Sequence, residues 1–354
     1  MKWHYSKRLV LKTEIIKIIN PTESYPDIER AASIIRAGGL VVFPTETVYG
    51  LGGNGTDPAA ATKIYEAKGR PSDNPLILHL AQPSDAESYA VTNENYYRLA
   101  AAFMPGPLTI ILPKKPTVPD RVTGGLPSVA LRCPSHPVAH ALIEAAGLPI
   151  AAPSANISGR PSPTNARYAI EDLSGRVDMI IDGGDCEIGL ESTIISLNRD
   201  GALLLRPGAV TYDALCCVLE RVEISPAAMG EMTADDRPLA PGMKYRHYAP
   251  SSPLVLLDGP DEAFICYIKQ KRLTENCAVI CSPEEARAIG GENLVLTGDN
   301  DDYPAQARRL FSALREADKL GCDVIYARKP RADGLGLALY NRLIRAAAHT
   351  VVKI

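Results

Sequence analysis

Residues 38–80, GGLVVFPTETVYGLGGNGTDPAAATKIYEAKGRPSDNPLILHL, decide the fold class. The apolar run 40–43 is strand-sized and stops at Pro44, which has no N–H to continue a ladder. Gly50, Gly52, Gly53 and Gly55 follow within six residues. They suit either a bulged β-turn or a loop whose backbone amides approach an anion. Asp57 reads as an N-cap and Pro58 as the first helical residue, so a helix is expected to reach Lys68 and end at Gly69, with Pro71 beyond. The second apolar run, PLILHL, then starts another strand, and strand–helix–strand is the unit of an α/β fold.

The same alternation continues outward to about Glu220, through NYYRLAAAFM, LTIIL, SVALRC, PVAHALIEAAG, PIAAPS, VDMIID, STIISL and ALLLR. Several of these strands succeed one another without a helix, which predicts a mixed sheet. After Pro253 strand and helix take strict turns, from PLVLL to LGLALYNRLIRAAAHTVV, as in a smaller doubly wound parallel sheet. No GxGxxG follows its first strand, so dinucleotide binding is not indicated there. Four regions result: an N-terminal extension (1–20), an α/β domain (21–224), a linker (225–252) and a C-terminal domain (253–354). The linker is rich in Pro, Ala, Met and Gly, yet it holds MKYRHY, a cluster with more use in a lid than in a spacer.

Composition narrows the function. With 354 residues, 46% hydrophobic and 22% charged, the chain can bury a sizeable core and is not of the disordered class. Its 38 basic and 41 acidic residues give a net charge of −3, so no global field draws it to nucleic acid or anionic lipid. An anionic ligand must be held by a local pocket. No apolar run is long enough for a membrane span and the N-terminus lacks a signal-peptide pattern, which predicts a cytoplasmic protein with no membrane partner. Eight cysteines without a CxxC pair predict buried free thiols and neither disulfides nor zinc.

The candidate site residues carry charge or hydroxyls at strand and helix ends. Lys68 shares a helix face with Ala61, Ile64 and Tyr65, so its ammonium is expected at the end of a buried stripe. With Arg70 it forms either a polyphosphate clamp or a pair of helix-end cations. Arg132 ends the apolar strand of SVALRC and requires an anionic partner, either a structural carboxylate or that of a substrate. Arg206 ends LLLR in the same way. The loop after PIAAPS supplies Ser154, Asn156, Ser158 and Ser162, with Thr164 expected to cap the next helix, while Ser192 and Thr193 open the strand of STIISL. His136 and His140 are four apart but lack the zincin glutamate, and no metal site is expected. There is no Ser-His-Asp order and no GxSxG elbow. Such a set binds an anionic substrate and works by positioning and charge stabilisation.

FPTETVYGLG, KGRPSDNPLILHL, SVALRCPSHP, APSANISGRPSPT, ESTIIS and LLRPGAV occur in this order, followed by PGMKYRHYAP and a further domain. Together they resemble the YrdC/Sua5 family in its longer, Sua5 type, over about residues 20–354. The resemblance implies a YrdC-like twisted mixed α/β sheet followed by a Rossmann-like C-terminal domain. It also implies condensation of L-threonine, bicarbonate or CO2, and ATP into threonylcarbamoyl-AMP and pyrophosphate, a nucleotidyltransferase step in the t6A modification of tRNA. By the same resemblance Lys68, Ser72, Ser128, Ser154, Asn156, Ser162, Arg206 and Tyr245 contact ATP. Thr45, His79, Arg132, Ala152 and Ser192 form the threonine pocket, Lys68 and Arg70 act in catalysis, and Mg2+ arrives with ATP. Further partners would be tRNA or the downstream threonylcarbamoyl-transfer machinery. The zinc-finger cysteines and acylphosphatase segment of the related hydrogenase-maturation proteins are absent from the sequence.

Overall fold

The computed structural model describes residues 11–230 and 248–354; Tyr245 and the rest of the MKYRHY cluster except Tyr248 lie outside the described residues. Among those described, eleven strands form one mixed sheet. Their spatial order is Glu14–Lys17, Met179–Asp182, Val41–Phe43, Gly50–Asn54, Ile150–Ala152, Ile77–His79, Ser128–Arg132, Leu108–Pro113, Thr193–Leu197, Ala202–Arg206 and Val222–Ile224. The first of these falls in the stretch read as an extension. It pairs in parallel with Met179–Asp182, so from Glu14 onward the extension belongs to the sheet.

The helix Pro58–Lys68 forms as its caps dictate. The Asp57 carboxylate accepts the Ala59 N–H at 2.8 Å, and Gly69 closes the helix in the left-handed region at φ 61°. The four glycines, by contrast, make neither an anion loop nor a bulged turn. Residues Gly50–Asn54 are a strand antiparallel to Val41–Phe43. A Cβ at Gly52 would lie 2.7 Å from both Ile150 Cγ2 and Phe43 Cε1, and one at Gly55 would lie 2.5 Å from Leu78 Cδ2. Close packing between neighbouring strands explains these glycines, and of the four only Gly50 reaches the cleft described below.

Alternation along the central strands separates two faces. Leu51, Leu78, Ile110, Leu131 and Ile195 enter the main core on one side. On the other, Ile77, Ile111, Ala130, Ile194 and Leu205 form a thin apolar patch under Ala227. His79 and Arg132 share that second face, paired side by side at the ends of two parallel strands.

The C-terminal unit is a five-stranded, wholly parallel sheet, as its strict alternation predicts, in the order Leu294–Leu296, Cys277–Cys281, Val324–Arg328, Leu254–Asp258, Val351–Lys353. Its helices Tyr303–Lys319 and Gly334–Ala346 reach the N-terminal unit through Arg315, which pairs with Asp172, and Arg342, which pairs with Glu191. Within the stretch read as linker, the turn Pro226–Met229 is part of this junction: Asn341 Nδ2 donates to the carbonyls of Ala227 (3.2 Å) and Ala228 (2.9 Å). Tyr248 stacks on Phe311 with ring centres 5.0 Å apart. All eight cysteines are free, but Cys216, Cys217 and Cys266 are exposed, which corrects the expectation that every thiol is buried.

Candidate active site

One cleft, of about 690 Å³ with its open mouth, crosses the second face of the large sheet. It brings together Thr45, His79, Arg132, Ala152 and Ser192 from the expected threonine set, and Lys68, Arg70, Ser154, Asn156, Ser162 and Arg206 from the expected ATP and catalytic sets. Ser72 stands on an exposed turn and Ser128 at the opposite end of its strand from Arg132, about 13 Å away at the usual rise per residue; neither lines the cleft.

Carbonyls and a hydroxyl hold Lys68 and Arg206. Lys68 is 1% exposed, and its ammonium donates to the backbone carbonyls of Ser154 and of Asn156, the latter at 2.5 Å. Burial, then the charge of Arg70, pushes its pKa well below the ordinary lysine value. Arg70 donates to the carbonyls of Asn74 (3.3 Å) and Pro75 (3.1 Å). Arg206 donates Nε–H to the Ser192 carbonyl at 3.0 Å and Nη2–H to the Ser192 hydroxyl at 3.1 Å, and burial lowers its pKa to about 10.

Arg132 differs. Its Nη2 lies 2.8 Å from Glu46 Oε1, with both side chains buried, so a protein carboxylate is its partner even though the guanidinium also lines the cleft. Beside it His79 is buried against the edge of Phe43; burial first, and Arg132 second, lowers its pKa to about 3 and keeps the imidazole neutral. The Thr45 hydroxyl donates to the Val48 carbonyl at 2.6 Å, fixing the turn after Phe43. Asn156 Nδ2 ties the polar loop to itself through the carbonyls of Ile157 (2.8 Å) and Arg160 (2.9 Å).

Thr164 does not cap the following helix. Asn165, one residue later and extended, accepts the Tyr168 N–H instead, and Thr164 Oγ1 meets Ser312 Oγ of the C-terminal unit at 3.1 Å. Sequence reasoning passed over Glu191 and Tyr49, which line the cleft, whereas Tyr248, also in its lining, belongs to the MKYRHY cluster expected to serve as a lid. Glu191 accepts the Ser162 hydroxyl at 2.5 Å and Arg342 Nε–H at 3.1 Å. Burial pushes its carboxyl up, but Arg342 and Arg206 outweigh it and hold the pKa below the ordinary value. A legible signal existed: an acid directly ahead of an apolar strand is as anomalous as Arg132 at the end of one.

Two family models match in succession. The Sua5/YciO/YrdC family, described as telomere recombination, covers residues 33–208, and the C-terminal domain of threonylcarbamoyl-AMP synthase covers residues 210–348. A curated threonylcarbamoyl-AMP synthase of Pyrococcus abyssi is 44% identical over 348 residues, spanning 95% of this chain and 99% of that protein. The chain belongs to the Sua5 family. A Bacillus subtilis threonylcarbamoyl-AMP synthase is 43% identical over 331 residues, 93% of this chain and 95% of its own length. The crystal structure of Pyrococcus abyssi Sua5 complexed with L-threonine superposes with a TM-score of 0.89 at 43% identity, covering 97% of this chain and 100% of that one. The mixed α/β sheet and the parallel sheet beside it are thus the Sua5 architecture, and the cleft of this Sua5-family chain lies on the larger of the two.

Proposed function

We propose that this chain is a threonylcarbamoyl-AMP synthase whose reaction takes place in the cleft, with L-threonine toward Arg132, His79, Thr45, Ala152 and Ser192 and ATP toward Lys68, Arg70, Ser154, Asn156, Ser162 and Arg206. The observation that carries this reading is the convergence of Lys68, Arg70 and Arg206 on one cleft beside hydroxyl and amide side chains, with Lys68 and Arg206 bonded to carbonyls and a hydroxyl, a lining suited to phosphate. Names and architecture of the relatives support the reaction itself.

No protein nucleophile is required. The threonine amine adds to CO2, from bicarbonate, and loses a proton to give a carbamate. A carbamate oxygen attacks the α-phosphorus of ATP in line, and the bond to the β,γ-pyrophosphate breaks as the new P–O bond forms, making this a nucleotidyl transfer. Lys68, Arg70 and Arg206 stabilise the charge gathering on the phosphates. Glu191, the cleft carboxylate among the described residues, is occupied by Ser162 and Arg342, which fits Mg2+ entering as the ATP complex and held chiefly by the phosphates. The free thiols suit a reducing, cytoplasmic setting, and the product suits threonylcarbamoyl transfer to tRNA, directly or through a transfer complex.

Pyrophosphate release measured with ATP, bicarbonate and each amino acid in turn tests this. Strict dependence on L-threonine and bicarbonate, with an acyl-adenylate as product, is expected; equal release without threonine would sink the reading.

A further inference from the structure

Two arginines of the C-terminal unit are buried against the wall of the cleft. Arg342, on the helix Gly334–Ala346, is 0% exposed. It donates Nε–H to the Glu191 carboxylate at 3.1 Å, Nη2–H to the Glu191 backbone carbonyl at 3.1 Å, and Nη1–H to the Pro207 carbonyl. Glu191 directly precedes Ser192, and Pro207 directly follows Arg206, the two residues bonded to each other in the cleft. One guanidinium therefore ties the chain on both sides of that contact.

Arg315, on the helix Tyr303–Lys319, does the same for the polar loop. Its Nη2–H reaches the Pro161 carbonyl at 2.6 Å, and its fork holds both oxygens of Asp172 at 3.2 and 2.7 Å. Asp172 also accepts the Ile157 N–H at 3.2 Å. Pro161 precedes Ser162, whose hydroxyl ends on Glu191. A continuous buried polar chain thus runs from one C-terminal helix, through the cleft wall, to the other.

Stability alone gives a weak reason for such a chain, because apolar side chains of similar volume often serve a buried site as well as an ion pair does. What a satisfied buried network does supply is direction for the groups it holds. We propose that Arg342, with Arg315 behind it, is a positioning residue of the synthase reaction, through which the C-terminal unit fixes Ser192, Arg206 and Ser162 against amino acid and nucleotide. The inference rests on the synthase reading above and assigns the C-terminal unit a task in that reaction.

Charge gives the role a distinct signature. The groups facing Glu191 are Arg342 and Arg345 on the helix Gly334–Ala346, Arg206 at its strand end, Lys68, and Tyr248. Without Arg342, burial is less opposed, so Glu191 takes up its proton at a higher pH. The acid limb of the activity profile then moves upward, which a purely structural substitution would not cause.

The test compares wild type, Arg342→Gln, Arg342→Lys and Lys319→Ala as full chains, by threonine-dependent pyrophosphate release across the acid and neutral range. Lys319 pairs with Glu171 at the half-exposed rim of the same junction and should behave as wild type. Arg342→Gln should lose roughly a hundredfold in kcat/KM, the scale of a reacting group displaced by about 1 Å, with the acid limb raised. Arg342→Lys should keep the wild-type acid limb yet lose about tenfold, because an ammonium cannot span the three oxygens as the planar fork does. An unchanged kcat/KM with an unshifted limb in Arg342→Gln overturns the proposal. If that variant does not fold, wild-type kcat and KM in Arg342→Lys overturn it equally. Should wild type fail to use threonine at all, the synthase reading falls instead; ATP affinity by calorimetry then decides the positioning role, which predicts weaker binding in the Arg342 variants and is overturned by equal binding.

Discussion

Among the described residues, the cleft of the large sheet and a crevice of the small parallel sheet each hold several basic residues, and the partners of those residues differ. At the C-terminal ends of the strands of the small parallel sheet, each cation meets carboxylates. Arg328 lies 3.0 Å from Asp261 and 2.6 Å from Glu285, Lys329 2.7 Å from Asp258, and Arg331 3.4 Å from Asp333. In the cleft of the large sheet, Lys68 and Arg206 donate to carbonyls and a hydroxyl, while the carboxylate of the lining, Glu191, is bonded by Arg342 from outside. Basic content does not mark an anion site. The partners of the cations do, since a cation held by dipoles keeps its charge for the ligand.

The largest effect that would sharpen this contrast is expected at Arg206. Arg206→Met should lower kcat/KM about a thousandfold, the upper range for removing a preorganised donor from a transition state; activity within a few fold of wild type would place the phosphates elsewhere. Arg132, which pairs with Glu46, comes next. Arg132→Met should cost about 3–5 kcal/mol in urea unfolding because Glu46 is left buried and uncompensated. Adding Glu46→Gln should restore most of that stability without restoring the KM for threonine, and recovery of both would make the pair structural alone.

His79 gives a smaller, pH-dependent effect. Its folded pKa of about 3 lies below the unfolded value of 6.5, so the stability it supports is present above 6.5 and drains away as pH falls toward 3. The contribution to the slope approaches about 1.4 kcal/mol per pH unit. His79→Gln should flatten the acid-side loss of stability in unfolding titrations; an unchanged slope would mean the imidazole titrates normally. The smallest effect is expected in the neutralised crevice. Lys329→Ala removes a partly exposed pair and should change stability by less than about 1 kcal/mol, with no change in ATP-dependent activity.

Local rules made much of this legible. The helix Pro58–Lys68 carries its start and stop in Asp57, Pro58 and Gly69, and the burial of Lys68 follows from helical spacing alone. Strict alternation was enough for the C-terminal parallel sheet. The glycines of residues 50–55 misled because a glycine required by tight strand packing and one required by an anion read alike; only the neighbours Phe43, Ile150 and Leu78, two of them distant in sequence, tell them apart. Thr164 was read as a cap because hydroxyl and amide are equally good caps, and the choice fell to Asn165 when Thr164 turned to Ser312, 148 positions away. The partner of Arg132 was illegible for the same reason. Strand alternation states that a charge is buried, but not which distant carboxylate meets it.

The contact between Arg342 and Glu191 joins residues 151 positions apart in the chain. During synthesis the N-terminal sheet can be complete well before Arg342 leaves the ribosome, since the strand Val222–Ile224 is its last. Until then Glu191 has Arg206 but not Arg342 as counter-charge, and the chain segments around Ser192 and Arg206 lack their shared tie. The tie on both sides of the Ser192–Arg206 contact is therefore among the last parts of the cleft wall to be translated.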